Sequence, residues 1–289
     1  WWSENHSNRL LPKFYHNWLF SSPMESITSV DGTEIAYEKT GEGPPIVLVH
    51  GSTGNHREWR EVVPTLAETY TVYAIDRRGR GASGDADEYA IEREYEDVAA
   101  VVDHVASLHE SDPVSLVGHS YGAICALHAI LETDAVDRLV IYEPPLGEVP
   151  PPQGAAAGLE QLLEEEGADA TVAAFLQNSV GMTSDEVDQF RNDEMWDHRL
   201  EAIPTVPRET RAIQRGLFEP DAFSDVAVST VLLVGGESPP PIKDAVQLVA
   251  DALTDSHILT LEGQQHFAMQ NAPTEFTETL LNALTIETA

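Results

Sequence analysis

The chain has 289 residues, 42% of them hydrophobic, so it can bury a substantial core in one large domain, with or without an inserted subdomain, and is not disordered. Its 49 acidic and 16 basic residues give a net charge of −33, which excludes nucleic acid and anionic membranes as partners, because both bind basic faces. One cysteine, Cys125, excludes an internal disulfide framework, and no apolar window reaches the ~18 residues of a membrane-spanning helix.

The excess of acidic residues runs along the whole chain instead of sitting in one tail. Self-repulsion on that scale destabilises a compact chain in dilute buffer, but molar salt shortens the screening length to about 3 Å and removes most of the penalty. We therefore expect a halophilic protein, and the single cysteine favours a reducing, cytoplasmic location. An ordinary acidic protein from a mesophile is the alternative.

Residues 1–23 are rich in aromatic side chains and differ in character from the rest of the chain. They contain no long apolar core followed by a small-residue cleavage site, so they do not predict a secretory signal. Met24 opens a stretch that is typical of an ordinary start. We expect residues 1–23 to be a non-native or disordered leader, and the alternative is a genuine arm that docks its Trp and Phe side chains.

The predicted elements begin with ITSVDGTEIAYEKTG, in which an Asp31-Gly32 turn separates two alternating runs and predicts an antiparallel hairpin. Apolar, β-rich runs then predict strands at 46–49, 72–75, 114–117, 139–142, 231–234 and 257–261. Helical patterns lie between most of them, and residues 92–108 place their apolar side chains on one face at spacings of three and four. This alternation predicts an α/β fold with a mostly parallel sheet and helices on both faces.

The alternation breaks between about residues 146 and 221, where no convincing strand occurs and helical patterns follow a proline-rich stretch. We interpret residues 146–221 as a helical cap inserted into a core made of residues 24–145 and 222–289. The three consecutive glutamates at 164–166 predict a solvated helix face and no metal site, because consecutive side chains on a helix point in different directions.

The strongest local signal is VSLVGHSYGAICALHAI, residues 114–130. An apolar strand runs into Gly118-His119-Ser120-Tyr121-Gly122 and then into a helix, which is the context of a G-x-S-x-G nucleophile elbow. The turn is sharp, so we expect a Cβ at either glycine to collide with a neighbouring strand or helix. Ser120 is the predicted nucleophile.

A serine hydroxyl needs a base, and the chain order of such sites places that histidine late. LEGQQHFAM supplies His266 after the last predicted strand. His50 and His119 compete because they flank motifs, whereas the histidines on predicted helices have no such placement. An acyl-transfer intermediate also needs oxyanion donors, and we expect them to be the backbone N–H groups of Ser52, after the strand ending in His-Gly, and of Tyr121.

The segments HGSTGNHREW, AIDRRGRGASG, GHSYG and GQQH, in this order, resemble the α/β-hydrolase superfamily, in particular its esterase, haloperoxidase-like and dehalogenase-like branch. The resemblance extends from about Ile27 to Leu284. It implies the nucleophile and base positions at Ser120 and His266, and a helical cap after the sixth strand. Haloalkane dehalogenases and epoxide hydrolases use an aspartate nucleophile, so the serine argues against both.

The family most often carries the triad acid three residues after the glycine that ends the seventh strand, and here that position is Ser238, which cannot be an anion. In RLVIYEPPL, residues 138–146, an apolar strand ends in Glu143 before two prolines, and Glu143 matches the position after the sixth strand that some dehalogenase-like relatives use. Glu143 is therefore our candidate acid. Glu237 is the alternative, and a purely structural ion pair of Glu143 with an arginine, either Arg138 or one from the DRRGRG loop, is a further one.

These assignments predict a serine hydrolase that acts on a small-molecule ester, first of all a carboxylesterase for small or medium acyl chains. A hydrolase of carbon–carbon bonds, a cofactor-free haloperoxidase or perhydrolase on the same triad, and a non-catalytic ligand-binding protein are the alternatives. We expect no metal or organic cofactor, and a monomer or homodimer. The candidate pocket residues on the cap are Phe175, Met182, Met195 and Trp196, each of which is equally typical of an ordinary helical core.

Overall fold

An eight-stranded sheet forms the centre of the structure, a computed structural model that describes residues 24–109, 112–146 and 151–286. Its strands are β1 (Glu25–Thr28), β2 (Glu34–Thr40), β3 (Pro45–Val49), β4 (Thr71–Ile75), β5 (Val114–His119), β6 (Val136–Tyr142), β7 (Ser229–Gly235) and β8 (Ser256–Leu261). They lie side by side in the order β1-β2-β4-β3-β5-β6-β7-β8. Each predicted run lies within one of these strands.

The first two strands form the antiparallel hairpin that the Asp-Gly turn predicted, with Ile27 opposite Ile35. Gly32 lies in the turn at a φ of 91°, a conformation that glycine adopts without the steric cost of a Cβ. Strand β2 also pairs antiparallel with β4, so the hairpin extends one edge of the sheet.

The remaining strands pair in parallel, from β4 through β3, β5, β6 and β7 to β8. Every residue of β3 is buried, so the sheet needs cover on both faces. Val47 and Val49 face one hydrophobic core, while Ile46 and Leu48 face the other. The α/β fold with a mostly parallel sheet is confirmed.

Helices supply that cover. They are α1 (Val63–Leu66), α2 (Ile91–Leu108), α3 (Tyr121–Ala129), α9 (Pro240–Ala252), α10 (Ala268–Asn271) and α11 (Pro273–Thr285). The labels α4 to α8 belong to helices between β6 and β7, which are described below. Val98 of α2 and Val246 of α9 pack in the first core, and Leu66 of α1 and Phe276 of α11 pack in the second.

Five α-helices lie between β6 and β7 within the described residues, and we call them the inserted helices. They are α4 (Ala155–Glu166), α5 (Ala168–Phe175), α6 (Ser184–Phe190), α7 (Met195–Ala202) and α8 (Val206–Ile213), with a π-helical turn at Leu176–Val180 after α5. The exact division into core and cap at residues 146 and 221 stays a prediction. The predicted leader, residues 1–23, lies outside the described residues.

The sheet order brings several loops to one place. Strands β5, β6 and β7 are parallel neighbours, so their carboxyl ends meet at the same edge of the sheet. Ser120 follows β5, Glu143 follows β6, Ser238 lies just beyond β7, and the loop after β8 carries His266. Open α/β sheets place their ligand sites at this edge.

Among the described residues, no helix combines the length and the apolar character needed to cross a bilayer.

Candidate active site

Ser120 occupies the sharp turn between β5 and α3, at a φ of 54° and a ψ of −123°. A Cβ built on Gly118 would lie 2.6 Å from the carbonyl oxygen of Gly122, and one built on Gly122 would lie 2.3 Å from that of His50. Both distances are shorter than any real Cβ contact, so both positions require glycine, as the sequence predicted. The turn raises Ser120 at the carboxyl edge of the sheet, where its side chain is partly exposed.

Glu143 shares the unusual backbone of Ser120. Within the described chain, these two are the non-glycine residues with positive φ, at 54° and 49°. They lie next to each other across the sheet, because the Ser120 N–H donates to the carbonyl oxygen of Tyr142 at 2.9 Å. Such backbone strain persists only where the surrounding structure holds it, and it concentrates at functional sites.

The Glu143 carboxylate meets His266. Oε2 of the fully buried Glu143 lies 2.7 Å from His266 Nδ1. Oε1 accepts two further hydrogen bonds, from the Gly235 N–H at 2.8 Å and from the Ser238 hydroxyl at 2.5 Å. A buried charge is tolerated when its oxygens are bonded in this way.

Electrostatics keep this carboxylate ionised. Burial by itself raises the pKa of Glu143, but the hydrogen bond and charge of His266, with the bonds from Ser238 and Gly235, outweigh burial and lower that pKa below its ordinary value. The carboxylate therefore accepts the His266 Nδ1–H, which leaves the lone pair of the neutral imidazole on Nε2.

The pKa of His266 is also lowered. Burial is the largest cause, Glu143 opposes it, and the nearby His119 ring lowers the pKa further. A lowered pKa keeps the imidazole neutral at neutral pH, and a general base must be neutral to accept a proton.

The end of β7 carries the alternative acid. Glu237 lies exposed on the surface and donates its backbone N–H to the carbonyl oxygen of Gln264 at 2.9 Å. Its neighbour Ser238 is buried, 4% exposed, and points the other way, toward Glu143. Adjacent side chains diverge here as they do along a strand. Glu143 is thus brought to His266, and Glu237 is not.

A small pocket lies over this edge of the sheet, and Ser120 and His266 both line it. Phe175 and Val180 border it from the inserted helices, and Phe267 borders it from the loop after β8. The pocket therefore combines an apolar wall with the two predicted reactive side chains.

Of the four candidate pocket residues, Phe175 borders this pocket. Met195 and Trp196 are buried among the inserted helices, and the Trp196 Nε1–H donates to Asp169 at 3.0 Å. Met182 packs at the edge of the same core. Met195 and Trp196 fit the alternative of an ordinary helical core, because helical spacing does not tell which apolar face meets a cavity.

The loop after β3 passes beside Ser120. A Cβ on Gly51 would lie only 3.2 Å from Ser120 Cβ, so this close approach requires glycine. The Gly51 N–H donates to Glu58 Oε1 at 3.0 Å, whereas the Ser52 N–H meets no acceptor within the part of the chain that the structure describes. Ser52 lines the pocket, and Tyr121 begins α3 directly after Ser120.

A second acid–histidine pair in this pocket was missed from the sequence. His119 Nδ1 lies 2.8 Å from Glu58 Oε1, and His119 Nε2 lies 2.9 Å from the carbonyl oxygen of His266. The Glu58 carboxylate and the His266 carbonyl oxygen are both hydrogen-bond acceptors for this ring. Burial raises the pKa of Glu58, but His119, with smaller contributions from His50 and the Gly51 N–H, outweighs burial and lowers that pKa to about 2. No spacing in HREW marks this glutamate, because its partner lies 61 residues away.

Within residues 24–109, 112–146 and 151–286, no group of three or more His, Cys, Asp or Glu side chains is arranged to hold a metal ion.

Known proteins resemble this chain over most of its length. A solved α/β hydrolase from Sphaerobacter thermophilus is 32% identical, with a TM-score of 0.78, and covers 90% of this chain and 100% of its own. The 2-hydroxy-6-oxo-6-(2'-aminophenyl)hexa-2,4-dienoic acid hydrolase of Metapseudomonas resinovorans is 27% identical over 91% of this chain and 92% of its own length. An enol-lactonase structure from Burkholderia xenovorans, 19% identical with a TM-score of 0.74 over 91% of this chain and 100% of its own, shares the fold.

A family model matches the part of the chain that forms most of the sheet and the serine elbow. The profile described as the alpha/beta hydrolase family matches residues 46–279, a span that runs from β3 into α11 and includes Ser120, Glu143 and His266. With that match over most of the chain, the protein belongs to the alpha/beta hydrolase family and is a hydrolase.

Proposed function

We propose that the protein is a carboxylesterase that hydrolyses esters of small or medium acyl chains through a Ser120-His266-Glu143 triad. The observation that carries this proposal is the 2.7 Å contact between His266 and Glu143, made beside a pocket that Ser120 and His266 share. An ionised carboxylate, a neutral imidazole and a strained serine turn are the parts that acyl transfer needs.

The proposed acylation begins with attack of Ser120 Oγ on the ester carbonyl carbon, while His266 Nε2 takes the hydroxyl proton. Glu143 stabilises the resulting imidazolium and keeps the ring in the productive orientation. The backbone N–H groups of Ser52 and Tyr121 stabilise the negative charge on the former carbonyl oxygen.

Collapse of this intermediate breaks the bond to the leaving alcohol, which receives the proton from His266. A water molecule then attacks the acyl-Ser120 ester, again gives its proton to His266, and the second tetrahedral intermediate releases the carboxylic acid and the free serine. Every proton is accounted for by one base, so the cycle requires neither a metal ion nor an organic cofactor.

The size and lining of the pocket support the substrate class. The cavity in this pocket is narrow, about 10 Å³, so it favours a short acyl group over a long one. Phe175 and Val180 offer that group an apolar wall. On this proposal, the inserted helices act as the cap that shapes the acyl site.

A carbon–carbon bond hydrolase is the second candidate. It is supported by the 27% identity, over 91% of this chain, to an enzyme named as a hydrolase of a 2-hydroxy-6-oxo-dienoic acid. The same triad would serve both reactions, and substrate choice would depend on pocket shape.

A serine-directed fluorophosphonate probe tests the proposal, with Ser120→Ala as the control and assays run in molar salt because of the net charge of −33. We expect labelling of the wild type, none of Ser120→Ala, and hydrolysis of p-nitrophenyl esters that declines as the acyl chain lengthens. Wild-type protein that is folded but neither labelled nor active would overturn the catalytic proposal. Labelling without ester turnover would favour the carbon–carbon bond hydrolase.

A further inference from the structure

The arginine-rich motif that follows β4 reaches the loop that carries Ser52. Arg77 donates from Nε to the carbonyl oxygen of His50 at 3.1 Å and from Nη2 to that of Gly51 at 3.2 Å. Arg80 donates from Nε and Nη2 to the carbonyl oxygen of Ser52, at 3.1 and 2.9 Å. Three successive carbonyl groups of one loop are therefore held by two guanidinium groups.

A hydrogen bond that fixes a carbonyl group also fixes the direction of the N–H group in the same peptide. A trans peptide is planar, and its C=O and N–H bonds point in opposite directions. The Gly51 carbonyl belongs to the same peptide as the Ser52 N–H, so the bond from Arg77 turns that N–H away from the arginines. Ser52 lines the pocket, together with Ser120 and His266.

The second proposed oxyanion donor is held by the same group of side chains. The Arg77 guanidinium lies over the Tyr121 ring, 4.9 Å from its centroid. The Tyr121 and Tyr89 hydroxyls are 2.7 Å apart, and Tyr89 donates to Glu94 Oε1 at 2.7 Å. Arg77 thus contacts both the loop of one donor and the side chain of the other.

Two buried glutamates balance these arginines. Arg77 pairs with Glu94 at 2.6 Å and with Glu209 at 2.7 Å, and Arg80 pairs with Glu209 at 2.6 Å. All four side chains are at most 2% exposed. Burial raises the pKa of Glu209, but Arg77 and Arg80 lower it below its ordinary value, so Glu209 stays charged.

Glu209 comes from a different part of the chain. It lies on α8, the last of the inserted helices, 132 residues from Arg77. A buried ion network is weak support for stability alone, because the desolvation of its charges offsets much of the attraction. Its hydrogen bonds to one functional loop suggest a second purpose.

We propose that Arg77 and Arg80, joined by Glu209, are positioning residues that orient the oxyanion N–H groups of Ser52 and Tyr121. This inference deepens the proposed function and rests on it. Through Glu209, the orientation of those donors depends on the docking of α8 against the core. The oxyanion site is complete only with the inserted helices in place.

Arg80 is the position to test, because Arg77 makes too many contacts for a clean substitution. We expect Arg80→Lys to lower kcat on a short p-nitrophenyl ester about tenfold and Arg80→Gln about 100-fold, with little change in KM. Lysine keeps the charge but cannot donate to the Ser52 carbonyl and to Glu209 with the same geometry. Each rate is divided by the concentration of active sites titrated with the fluorophosphonate, so a loss of folded protein does not lower the measured kcat.

Arg78 offers a matched control in the same motif. It is as buried as Arg80 and pairs with Asp97 and Asp31, but it has no bond to the loop of residues 50–52. Arg78→Lys should lower Tm as Arg80→Lys does, yet keep kcat per titrated site within about twofold of wild type.

A trifluoromethyl ketone inhibitor distinguishes misplaced oxyanion donors from a general loss of structure. Its adduct with the serine carries an oxyanion, so its affinity depends on the N–H groups that bind that oxyanion. Its affinity should fall in Arg80→Lys and Glu209→Gln in proportion to kcat/KM, and it should be unchanged in Arg78→Lys. If either Arg80 variant fails to fold, Glu209→Gln perturbs the same arginines from α8, with an expected loss of about 3- to 10-fold in kcat.

The outcomes separate this inference from the proposed function. An active wild type whose Arg80 and Glu209 variants retain full kcat per site would overturn the positioning role and leave the esterase proposal intact. An equal loss in Arg78→Lys would also overturn it, by assigning the effect to stability. A folded wild type that the fluorophosphonate does not label would overturn both.

Discussion

The ends of β6 and β7 differ in one informative way. Both strands stop at the same edge of the sheet, beside His266, but β6 ends in the carboxylate of Glu143 and the segment after β7 offers the hydroxyl of Ser238. The two oxygens are hydrogen-bonded at 2.5 Å, so both strand ends reach the same point. Two neighbouring strand ends therefore serve one carboxylate: β6 positions it beside the histidine, and the segment after β7 donates a hydrogen bond to it.

We expect the greatest loss of activity when the carboxylate after β6 is removed. Glu143→Gln should lower kcat by about three to four orders of magnitude, because the amide no longer stabilises the imidazolium of His266. The measurement is ester hydrolysis per titrated site. Glu237→Gln is the matched control after β7, and it should retain wild-type kcat because that side chain is exposed. The opposite pattern would move the acid to Glu237.

A second experiment moves the carboxylate from one strand to the other. Glu143→Ala combined with Ser238→Asp should recover about 10- to 100-fold of the activity lost in Glu143→Ala alone, because the new carboxylate can fill the vacated space near His266. Ser238→Asn in the same background is the neutral control. Equal activity of the Asp and Asn double variants would mean that the two strand ends are not interchangeable.

A smaller effect is expected when only the donor after β7 is removed. Ser238→Ala deletes the hydroxyl that donates to Glu143 Oε1 but leaves the Gly235 N–H and His266 as partners of the carboxylate. We expect kcat to fall about 3- to 10-fold. Steady-state kinetics measure this, and Ser238→Thr, which keeps a hydroxyl, should recover most of the loss.

We expect a modest shift in the pH at which activity is lost on the acid side of the pH profile. His266 must be neutral to act as a base, and its pKa is lowered by burial, with Glu143 acting in the opposite direction. The activity is thus present above that pKa and lost as the pH falls through it, so the midpoint of kcat/KM should lie below the ordinary histidine value of about 6.5. In Glu143→Gln the residual activity should show a still lower midpoint. A wild-type midpoint above 6.5 would contradict the assigned base.

Much of the site could be predicted from the sequence because its signals are local. Gly118 and Gly122 mark a turn that tolerates no Cβ, and the chain order of serine, acid and histidine follows from the loop positions. The apolar runs predicted the strands because a doubly covered parallel strand must be apolar on both faces. The choice between Glu143 and Glu237 needed the resemblance to a family, since two acids at neighbouring strand ends look alike in the sequence.

Other features had no local signal. Glu58 meets His119 across 61 residues, and Arg77 meets Glu209 across 132 residues. Val180 and Phe267 line the pocket, whereas the pocket candidates Met195 and Trp196 are buried within the inserted helices. An amphipathic pattern tells that a helix buries one face, but it does not tell what that face meets.

Backbone sterics and short-range periodicity account for the strands, the hairpin, the serine elbow and the position of the late histidine, so these features follow from the sequence. The contacts between distant residues depend on tertiary packing: Glu143 meets His266, Ser238 donates to that carboxylate, and the arginines of the motif after β4 hold the loop of Ser52. These contacts form because buried charges must find partners wherever the chain brings them together.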